Sequence, residues 1–430
     1  MILRAKVVLP LSGPPIKHGA VHVSGERIVA IGSWRQVCQN RRKERVVELG
    51  ESVIMPGLIN AHCHLDYTHM AGQFAPPKVF TDWLKQITAT KAGWGLSDYK
   101  ESWQAGAQML VRSGTTTVAD VEAVPSLLPD VWQATPLRVF SFLEMIGITQ
   151  RRSPGALLQE AAQKISSLRH GRCRAWISPH APYSTLPELL RLSAAAARRR
   201  RWLVCTHIAE SELEFSMFRH AKGGMYDWLQ RSGRDMTDCG GVSPVRHMEQ
   251  CGLLGPNLMA AHVNYLGPKD AELLAKRRVS VVHCPRGHAY FGHDTLPLRR
   301  LRRAGVNVCL GTDSLASVRL ERRQKAELNM FDEMQAVATR ESSLSPRQIL
   351  QLATLNGARA LGLQGKVGEL SPGAKADLIV IPLSVGKDIY ESVVQHRGNV
   401  LASMIGGRWA VSPNGATASS LHPNAVPCPP

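Results

Sequence analysis

The stretch that decides the fold is Met55-Pro56-Gly57-Leu58-Ile59-Asn60-Ala61-His62-Cys63-His64-Leu65-Asp66. It is typical of an apolar strand that ends in two histidines spaced His-x-His. Because successive side chains of a strand alternate between its two faces, His62 and His64 point the same way and can share one metal ion. A single His-x-His pair is weak evidence, so the interpretation depends on further ligands at other strand ends.

Strand-like and helical segments alternate through the middle of the chain. The eight strand candidates are residues 54–64, 115–121, 138–146, 174–178, 202–207, 257–262, 279–283 and 306–313. Between most of them lie amphipathic or Ala/Leu-rich stretches such as 186–197. This pattern predicts an α/β fold of the (β/α)₈ TIM-barrel type, in which the C-terminal ends of the strands carry the active site.

Both chain ends are rich in strand and turn signals. Residues 20–32, 368–381 and 400–409 show runs that are interrupted by glycine-containing turns. We therefore expect a small composite β-sandwich domain from residues 1–55 and 365–411, around a barrel of residues 56–364. Residues 412–430 are rich in Pro, Ser, Ala and Asn, which predicts a disordered tail.

Composition excludes some classes of protein. No apolar run reaches the ~18 residues of a membrane span, and the N-terminal apolar run is too short for a signal peptide, so we expect a cytoplasmic protein without membrane contact. The net charge is +18, but its basic clusters are scattered and lack interleaved aromatics, which favours solvated helices over a nucleic-acid partner. Four cysteines in apolar runs are expected to be buried free thiols: Cys63, Cys205, Cys284 and Cys309.

Residues capable of chemistry cluster where the predicted strands end. They are His62 and His64, Glu144, His180, His207 with Glu210, His262, His283 with His288, and Asp313. One histidine at the end of an apolar run is more often a hydrogen-bonded core residue than a ligand. Histidines after five strands and an aspartate after a sixth make that explanation much weaker for the whole set.

Four of these residues make a plausible metal site. His62, His64, His207 and Asp313 offer three neutral nitrogen donors and one carboxylate, which leaves a position for water. Zn²⁺ is the ion we expect, although iron suits the same ligands. Bound water can ionise near neutrality, its pKa falling to about 7, and the resulting hydroxide attacks an electron-poor carbon.

Two further residues are candidates for proton transfer beside this ion. Glu210 follows His207 by three residues and can carry a proton between the attacking water and the substrate. A helix N-terminal acid is the alternative role of Glu210, and the two roles are compatible. His262 is placed to steady the nucleophile, while Asp313 can act as both ligand and base.

The ordered motifs resemble the amidohydrolase superfamily over residues 1 to about 409. They are PGLINAHCH at 56–64, SGTTTVAD at 113–120, SPHAPYS at 178–184, THIAES at 206–211, AAH at 260–262, VVHCP at 281–285, LGTDS at 310–314 and GELSPGAKADLIVI at 368–381. The branch they resemble holds S-adenosylhomocysteine and 5′-methylthioadenosine deaminases, guanine deaminases, aminodeoxyfutalosine deaminases and triazine hydrolases. The resemblance implies a TIM barrel with a composite β-sandwich, one divalent metal and often a homodimer.

The resemblance also assigns roles. The metal ligands match His62, His64, His207 and Asp313, and the acid/base pair matches Glu210 and His262. His180 matches a position that touches the ribose or ring of nucleoside substrates.

The fourth strand candidate, Arg174-Ala175-Trp176-Ile177-Ser178, has no lysine that could bridge two metals. The resemblance then implies a mononuclear site that releases ammonia from an amino-substituted heteroaromatic ring. An adenosine-like nucleoside is the expected substrate, with aminodeoxyfutalosine as one candidate. C–N or C–Cl hydrolysis on a guanine- or triazine-like ring is the alternative, and a nucleic-acid-binding or catalytically dead relative is the non-enzymatic one.

The segment after the seventh strand departs from the family pattern. Where many relatives carry Ser-Asn and Lys-Leu, this chain has Arg286-Gly287-His288-Ala289-Tyr290-Phe291-Gly292-His293. Arg286 could clamp a carboxylate or phosphate, and a structural role for Arg286 is left open. Together with Glu144 and His180, Arg286 and His288 are the predicted substrate-binding residues.

Overall fold

The computed structural model describes residues 1–39, 41, 43–149, 152–168, 171–319, 326–384 and 386–413. The strands are β1 Ile2–Val8, β2 Ile16–Ser24, β3 Arg27–Ser33, β4 Val46–Glu48, β5 Ser52–Pro56, β6 Leu58–Cys63, β7 Thr115–Glu122, β8 Arg138–Met145, β9 Arg174–Pro179, β10 Val204–Ile208, β11 Leu258–His262, β12 Ser280–His283, β13 Asn307–Leu310, β14 Leu378–Pro382, β15 Ala402–Ile405 and β16 Arg408–Val411. They form two separate eight-stranded sheets.

The α-helices lie mostly between the strands of the second sheet. They are α1 Trp34–Cys38, α2 Phe80–Ala92, α3 Leu96–Arg112, α4 Asp130–Gln133, α5 Pro154–Ser167, α6 Pro187–Arg200, α7 Glu212–His220, α8 Gly224–Arg231, α9 Pro244–Gln250, α10 Asp270–Lys276, α11 Pro285–Phe291, α12 Leu298–Ala304, α13 Met330–Arg340, α14 Pro346–Leu352, α15 Leu355–Ala360 and α16 Ile389–Val394. Short 3₁₀ turns occur at Leu65–Met70, Pro125–Leu127, Pro182–Ser184 and Leu315–Ser317.

The first sheet combines the two ends of the chain, in the order β16-β15-β14-β5-β1-β2-β3, with β4 paired to β1. Its central strands are buried on both faces, because successive side chains point to opposite faces of the sheet and each face packs against a different hydrophobic core. In β14, Leu378 and Val380 belong to the sheet's own core, whereas Ile379 and Ile381 pack with the barrel core. The composite β-domain expected from the sequence is confirmed, while the limits 1–55 and 365–411 stay predictions.

The second sheet is a parallel barrel in sequential order from β6 to β13. The TIM-barrel prediction is confirmed, and all eight predicted strand regions contain a barrel strand. One predicted strand was drawn wrongly, because 54–64 spans β5 of the first sheet and β6 of the barrel. The break falls at Gly57, where a Cβ would lie 2.1 Å from the Thr116 side chain, so the close approach of β7 requires glycine.

A buried ion pair joins the two sheets. Arg138, at the start of β8, donates from Nε and Nη2 to the Asp377 carboxylate at 3.0–3.2 Å. Asp377 also accepts from the Gly406 amide at 2.6 Å, next to β15. The carboxylate therefore links a barrel strand to the hairpin of the β-domain.

The barrel closes where its first and last strands meet. The Asp313 amide donates to the His62 carbonyl at 3.1 Å. Asn60 Nδ2 donates to the Thr312 hydroxyl at 2.7 Å, and Asn60 Oδ1 accepts from the Thr312 amide at 3.1 Å. A Cβ on Gly311 would lie 2.6 Å from the His62 carbonyl oxygen. We call this contact between β6 and the residues after β13 the seam.

Several sequence expectations concern the surface and the chain ends. The four cysteines predicted to be free thiols are free and buried. One of the scattered basic clusters, Arg198–Arg201, is exposed at the end of α6, as expected for a solvated helix. Another basic cluster, Arg322-Arg323, and residues 414–430 of the expected tail lie outside the described residues. Among the helices that the structure describes, none combines the length and apolar character needed to cross a membrane.

Candidate metal centre and active site

The four predicted ligands converge at the C-terminal end of the barrel. His64 Nε2 lies 3.3 Å from His207 Nε2, and Asp313 Oδ1 lies 3.7 Å from His62 Nε2 and 3.6 Å from His64 Nε2. Metal–nitrogen bonds of about 2.0–2.1 Å in a tetrahedral arrangement place neighbouring donor atoms about 3.3–3.4 Å apart. The spacing of these atoms therefore fits a single divalent ion.

The chemistry of the donors fits as well. His207 Nδ1 donates to the His180 carbonyl at 2.8 Å, which leaves the Nε2 lone pair facing the other ligands. His62 Nε2 is buried and has no hydrogen-bond partner among the described residues. Burial lowers the pKa of His62 and His64 well below the usual value, and their histidine neighbours lower it further. Neutral imidazoles with free lone pairs are what a metal ligand requires.

A second group lies against this quartet. Ligand atoms of Glu210, His262 and Asp313 all lie within 4.8 Å of one another, with Glu210 Oε1 3.7 Å from His262 Nε2. Burial raises the pKa of Glu210 well above its usual value, and the nearby Asp313 and Glu214 carboxyls raise it further. A carboxyl group whose pKa is raised holds its proton to higher pH and can donate it during a reaction.

A cavity of about 140 Å³ opens directly onto these residues. The polar residues of its lining include Lys91, Glu144, His180 and Ser184. His180 is held there by a 2.6 Å hydrogen bond between its Nδ1 and the Ser184 hydroxyl. The apolar residues of the lining include Phe80, Trp83, Ile87, Ile146, Ile148 and Trp228. Such a shape accommodates an amphipathic molecule that has its reacting end at the metal ligands.

The structure divides the four predicted substrate-binding residues into two pairs. Glu144 and His180 line the cavity, whereas Arg286 and His288 are not among its lining residues in the described part of the chain. The Arg286 guanidinium contacts the Glu327 carbonyl at 2.9 Å and lies 3.4–3.6 Å from two carboxylates of α13. His288 Nδ1 instead bonds to Asn264 Oδ1 at 3.0 Å. The structural role left open for Arg286 is the one its contacts support.

Sequence reasoning missed the residues that α2 and α8 contribute to the cavity. Phe80, Trp83, Leu84 and Ile87 repeat at helical spacing, which is typical of any buried helix face and carries no sign of a cavity. Lys91 ends the same face, 4.8 Å from the centre of the Tyr67 ring, and donates to the Tyr67 hydroxyl. A lysine near a helix end is too common for its position alone to indicate a binding role.

Comparison with known proteins decides the family. The family model described as "Amidohydrolase family" matches residues 53–410. The chain belongs to the amidohydrolase family. A 5-methylthioadenosine/S-adenosylhomocysteine deaminase of Syntrophobacter fumaroxidans is 32% identical over 84% of this amidohydrolase and 80% of the relative. A 5′-deoxyadenosine deaminase of Methanosarcina mazei is 30% identical, over 86% and 80% of the two chains.

Solved structures share the fold of this amidohydrolase. An aminofutalosine deaminase of Helicobacter pylori, in complex with methylthio-coformycin, has a TM-score of 0.84 and 21% identity, covering 95% of this chain and 99% of the other. A zinc-bound adenosine deaminase of Xanthomonas campestris has a TM-score of 0.82 and 24% identity, covering 97% and 94%. The amidohydrolase resemblance drawn from the sequence motifs is confirmed.

Proposed function

We propose that the chain is a metal-dependent hydrolase that deaminates the amino-substituted ring of an adenosine-like nucleoside. The observation that carries the proposal is the buried Glu210 carboxyl, 3.7 Å from His262 and beside the metal-ligand quartet. The named activities of the curated relatives, deaminases of 5-methylthioadenosine, S-adenosylhomocysteine and 5′-deoxyadenosine, support the substrate class.

The quartet of His62, His64, His207 and Asp313 would hold one ion, with zinc as the proposed metal. When bound, such an ion lowers the pKa of a water and so supplies the nucleophile for hydrolysis. Glu210 donates its proton to the ring nitrogen next to the amino-bearing carbon, which makes that carbon electron-poor.

The remaining groups orient the reactants. His262 and Asp313 would orient the attacking water, because their ligand atoms lie within 4.8 Å of that of Glu210. The attacking water supplies two protons: one restores the Glu210 carboxyl, and the other passes to the amino group, which leaves as ammonia. Since Glu210 is buried, its proton transfers are shielded from competition with bulk water.

The residues that line the cavity indicate which groups the rest of the substrate carries. Glu144 and His180 can pair with ribose hydroxyls, while Trp83 and Trp228 can pack against an apolar substituent. Arg286 is engaged with α13, and Lys91 is the cation among the cavity residues that the structure describes, so it is the proposed partner of an acidic extension such as that of aminodeoxyfutalosine. The homodimer and the cytoplasmic location suggested by the sequence remain predictions.

The test is ammonia release by zinc-loaded protein from a panel of adenosine, 5′-deoxyadenosine, 5′-methylthioadenosine, guanine and an aminotriazine. Glu210→Gln should keep its metal and lose about 10²–10⁴ of kcat, the usual contribution of a positioned acid/base. Activity of Glu210→Gln near that of the unchanged enzyme would sink the assignment of Glu210. If ammonia is released only from guanine or from the aminotriazine, the proposed adenosine-like substrate is wrong and the enzyme acts on that other ring.

A further inference from the structure

The main chain that carries Glu210 is in an unfavourable conformation. Ala209, directly before it, has φ of 51°, and the neighbouring strand end has φ of 73° at His262 and 55° at Val263. Residues with a side chain rarely adopt positive φ, and a β-branched valine does so least readily. Such conformations persist only where surrounding contacts fix them, and they concentrate at functional sites. The positive φ of Ala209 therefore points to a functional role for the contacts that hold the main chain at Glu210.

Side chains hold the peptide groups on both sides of Glu210. The amides of Ala209 and Glu210 donate to the two carboxyl oxygens of Glu214, at 2.8 and 2.9 Å. The Glu210 carbonyl accepts from Asn264 Nδ2 at 2.8 Å. Glu214 belongs to the same turn and moves with it, whereas Asn264 comes from the segment after β11. The amides of Asn264 and Tyr265 also donate to the Ala209 carbonyl, at 3.0 and 3.3 Å. Among the described residues, Asn264 is thus the side chain from outside this turn that holds the main chain of Glu210.

The orientation of Asn264 is set in turn by His288. Asn264 Oδ1 accepts from His288 Nδ1 at 3.0 Å, which turns the amide nitrogen towards the Glu210 carbonyl. Both side chains are buried, so water does not compete for these bonds. His288 lies on α11 and, within the described residues, is not part of the cavity lining. The chain of contacts runs from α11, through Asn264, to the backbone of Glu210.

We propose that Asn264 and His288 are positioning residues that hold the Glu210 main chain and thereby aim its carboxyl at the reacting ring. The proposal rests on the role of Glu210 in the proposed function. It assigns His288 to the reaction through Asn264 rather than through contact with substrate.

Four variants separate this role from general packing. Asn264→Asp keeps the acceptor for His288 but loses the donor to the Glu210 carbonyl. His288→Leu removes the donor to Asn264, whereas His288→Asn places an amide donor where Nδ1 stands. The matched control is His247→Leu, which deletes another buried histidine. His247 lies 3.5 Å from the Asp238 carboxylate and packs on Phe218 of α7, so its loss changes the packing of the helix that carries Glu214 but leaves the bonds of Asn264 in place.

The expected result is a loss of kcat with little change of KM. Removing a group that orients an active-site residue typically costs 10- to 100-fold, so we expect about that loss of kcat in Asn264→Asp and His288→Leu, with zinc content unchanged. His288→Asn should recover most of the activity, and His247→Leu should keep it. Wild-type kcat in Asn264→Asp, or failure of His288→Asn to exceed His288→Leu, would overturn the proposal.

Hydrogen exchange of the same variants tests the pair without any substrate. The amides of residues 208–215 should exchange faster in Asn264→Asp and His288→Leu than in the unchanged protein, and His288→Asn should restore their protection. Unchanged exchange in both disrupted variants would overturn the proposed pair even if the enzyme is active. If the unchanged enzyme releases no ammonia from the panel, the proposed function fails, and the exchange result still decides whether the pair holds this segment.

Discussion

Gly311→Ala is the sharpest test of the link between barrel closure and metal binding. Gly311 lies at the seam, where a Cβ would stand 2.6 Å from the His62 carbonyl oxygen and 2.8 Å from the His62 amide nitrogen. Ordinary contacts of a Cβ begin at 3.4 Å. Both obstructing atoms belong to the backbone, so no side-chain rotation can relieve the overlap. The added methyl must push the two strands apart.

The distances give the size of the effect. Relieving the closest overlap separates the strands by about 0.8 Å, because well-packed interiors offer no spare volume. The seam bond from the Asp313 amide to the His62 carbonyl is 3.1 Å long and would stretch beyond hydrogen-bonding range. Functional sites need their groups held within about 0.5 Å. We therefore expect zinc affinity to fall about 10- to 100-fold, with overpacking costing about 1–3 kcal/mol of stability.

Zinc affinity is measured by competition with a chromogenic chelator, and stability by urea unfolding of the metal-free protein. Gly224→Ala is the control, since it makes the same chemical change at the start of α8, where no atom lies within 4 Å of the added Cβ. Gly224→Ala should leave zinc affinity unchanged. A Gly311→Ala protein that binds zinc as tightly as the control would refute the reasoning that the seam sets the ligand geometry.

Three further predictions concern substrate selection, stability and pH. Lys91→Met should lower kcat/KM for a carboxylate-bearing nucleoside about 10-fold or more, which corresponds to the loss of a charged hydrogen bond. The same variant should leave kcat/KM for 5′-deoxyadenosine unchanged. Equal losses of kcat/KM for the two substrates would contradict this prediction. Arg138→Met leaves the buried Asp377 carboxylate without its ion-pair partner. It should lower the free energy of unfolding in urea by about 3–5 kcal/mol, and adding Asp377→Asn to this variant should restore part of that loss. The pKa of Glu122 is raised well above 4.5, first by burial and then by the neighbouring Asp120 and Asp66 carboxyls. The folded protein therefore holds this proton to higher pH than the unfolded chain does. As a result, the free energy of unfolding falls as pH rises above about 4.5. Glu122→Gln should make that fall shallower, and parallel pH curves of the urea midpoints would argue against it.

The barrel was predictable because each strand leaves a local signature. Both faces of a parallel strand are covered, so it appears as a short apolar run, and chemistry appears as a polar residue where the run stops. The break between β5 and β6 was only partly predictable. Pro56-Gly57 marked a boundary, but the run on both sides is equally apolar. What separates the strands is the approach of Thr116 to Gly57, which is a contact between distant parts of the chain.

The substrate side of the site was predictable only where residues follow a strand directly. Glu144 ends β8 and His180 follows β9, so the topology alone turns both towards the cavity. Arg286 also follows a strand, but the carboxylates that engage it, Asp332 and Glu333, lie more than 40 residues further along the chain. The spacing of residues in the sequence does not predict a contact between segments so far apart. The contacts of Arg286 are set by the packing of α11 against α13, which only the folded chain shows.

The position of the proposed metal ligands across the seam has a consequence for folding. His62 and Asp313 lie 251 residues apart in sequence but on opposite sides of the closure, joined there by the hydrogen bond from the Asp313 amide to the His62 carbonyl. Bringing such distant segments together is opposed by loop entropy. An ion that binds both sides binds only the closed barrel, and binding to the folded state alone stabilises it. The residues proposed to activate water therefore also fasten the first strand to the last, so ligand geometry and barrel closure cannot vary independently.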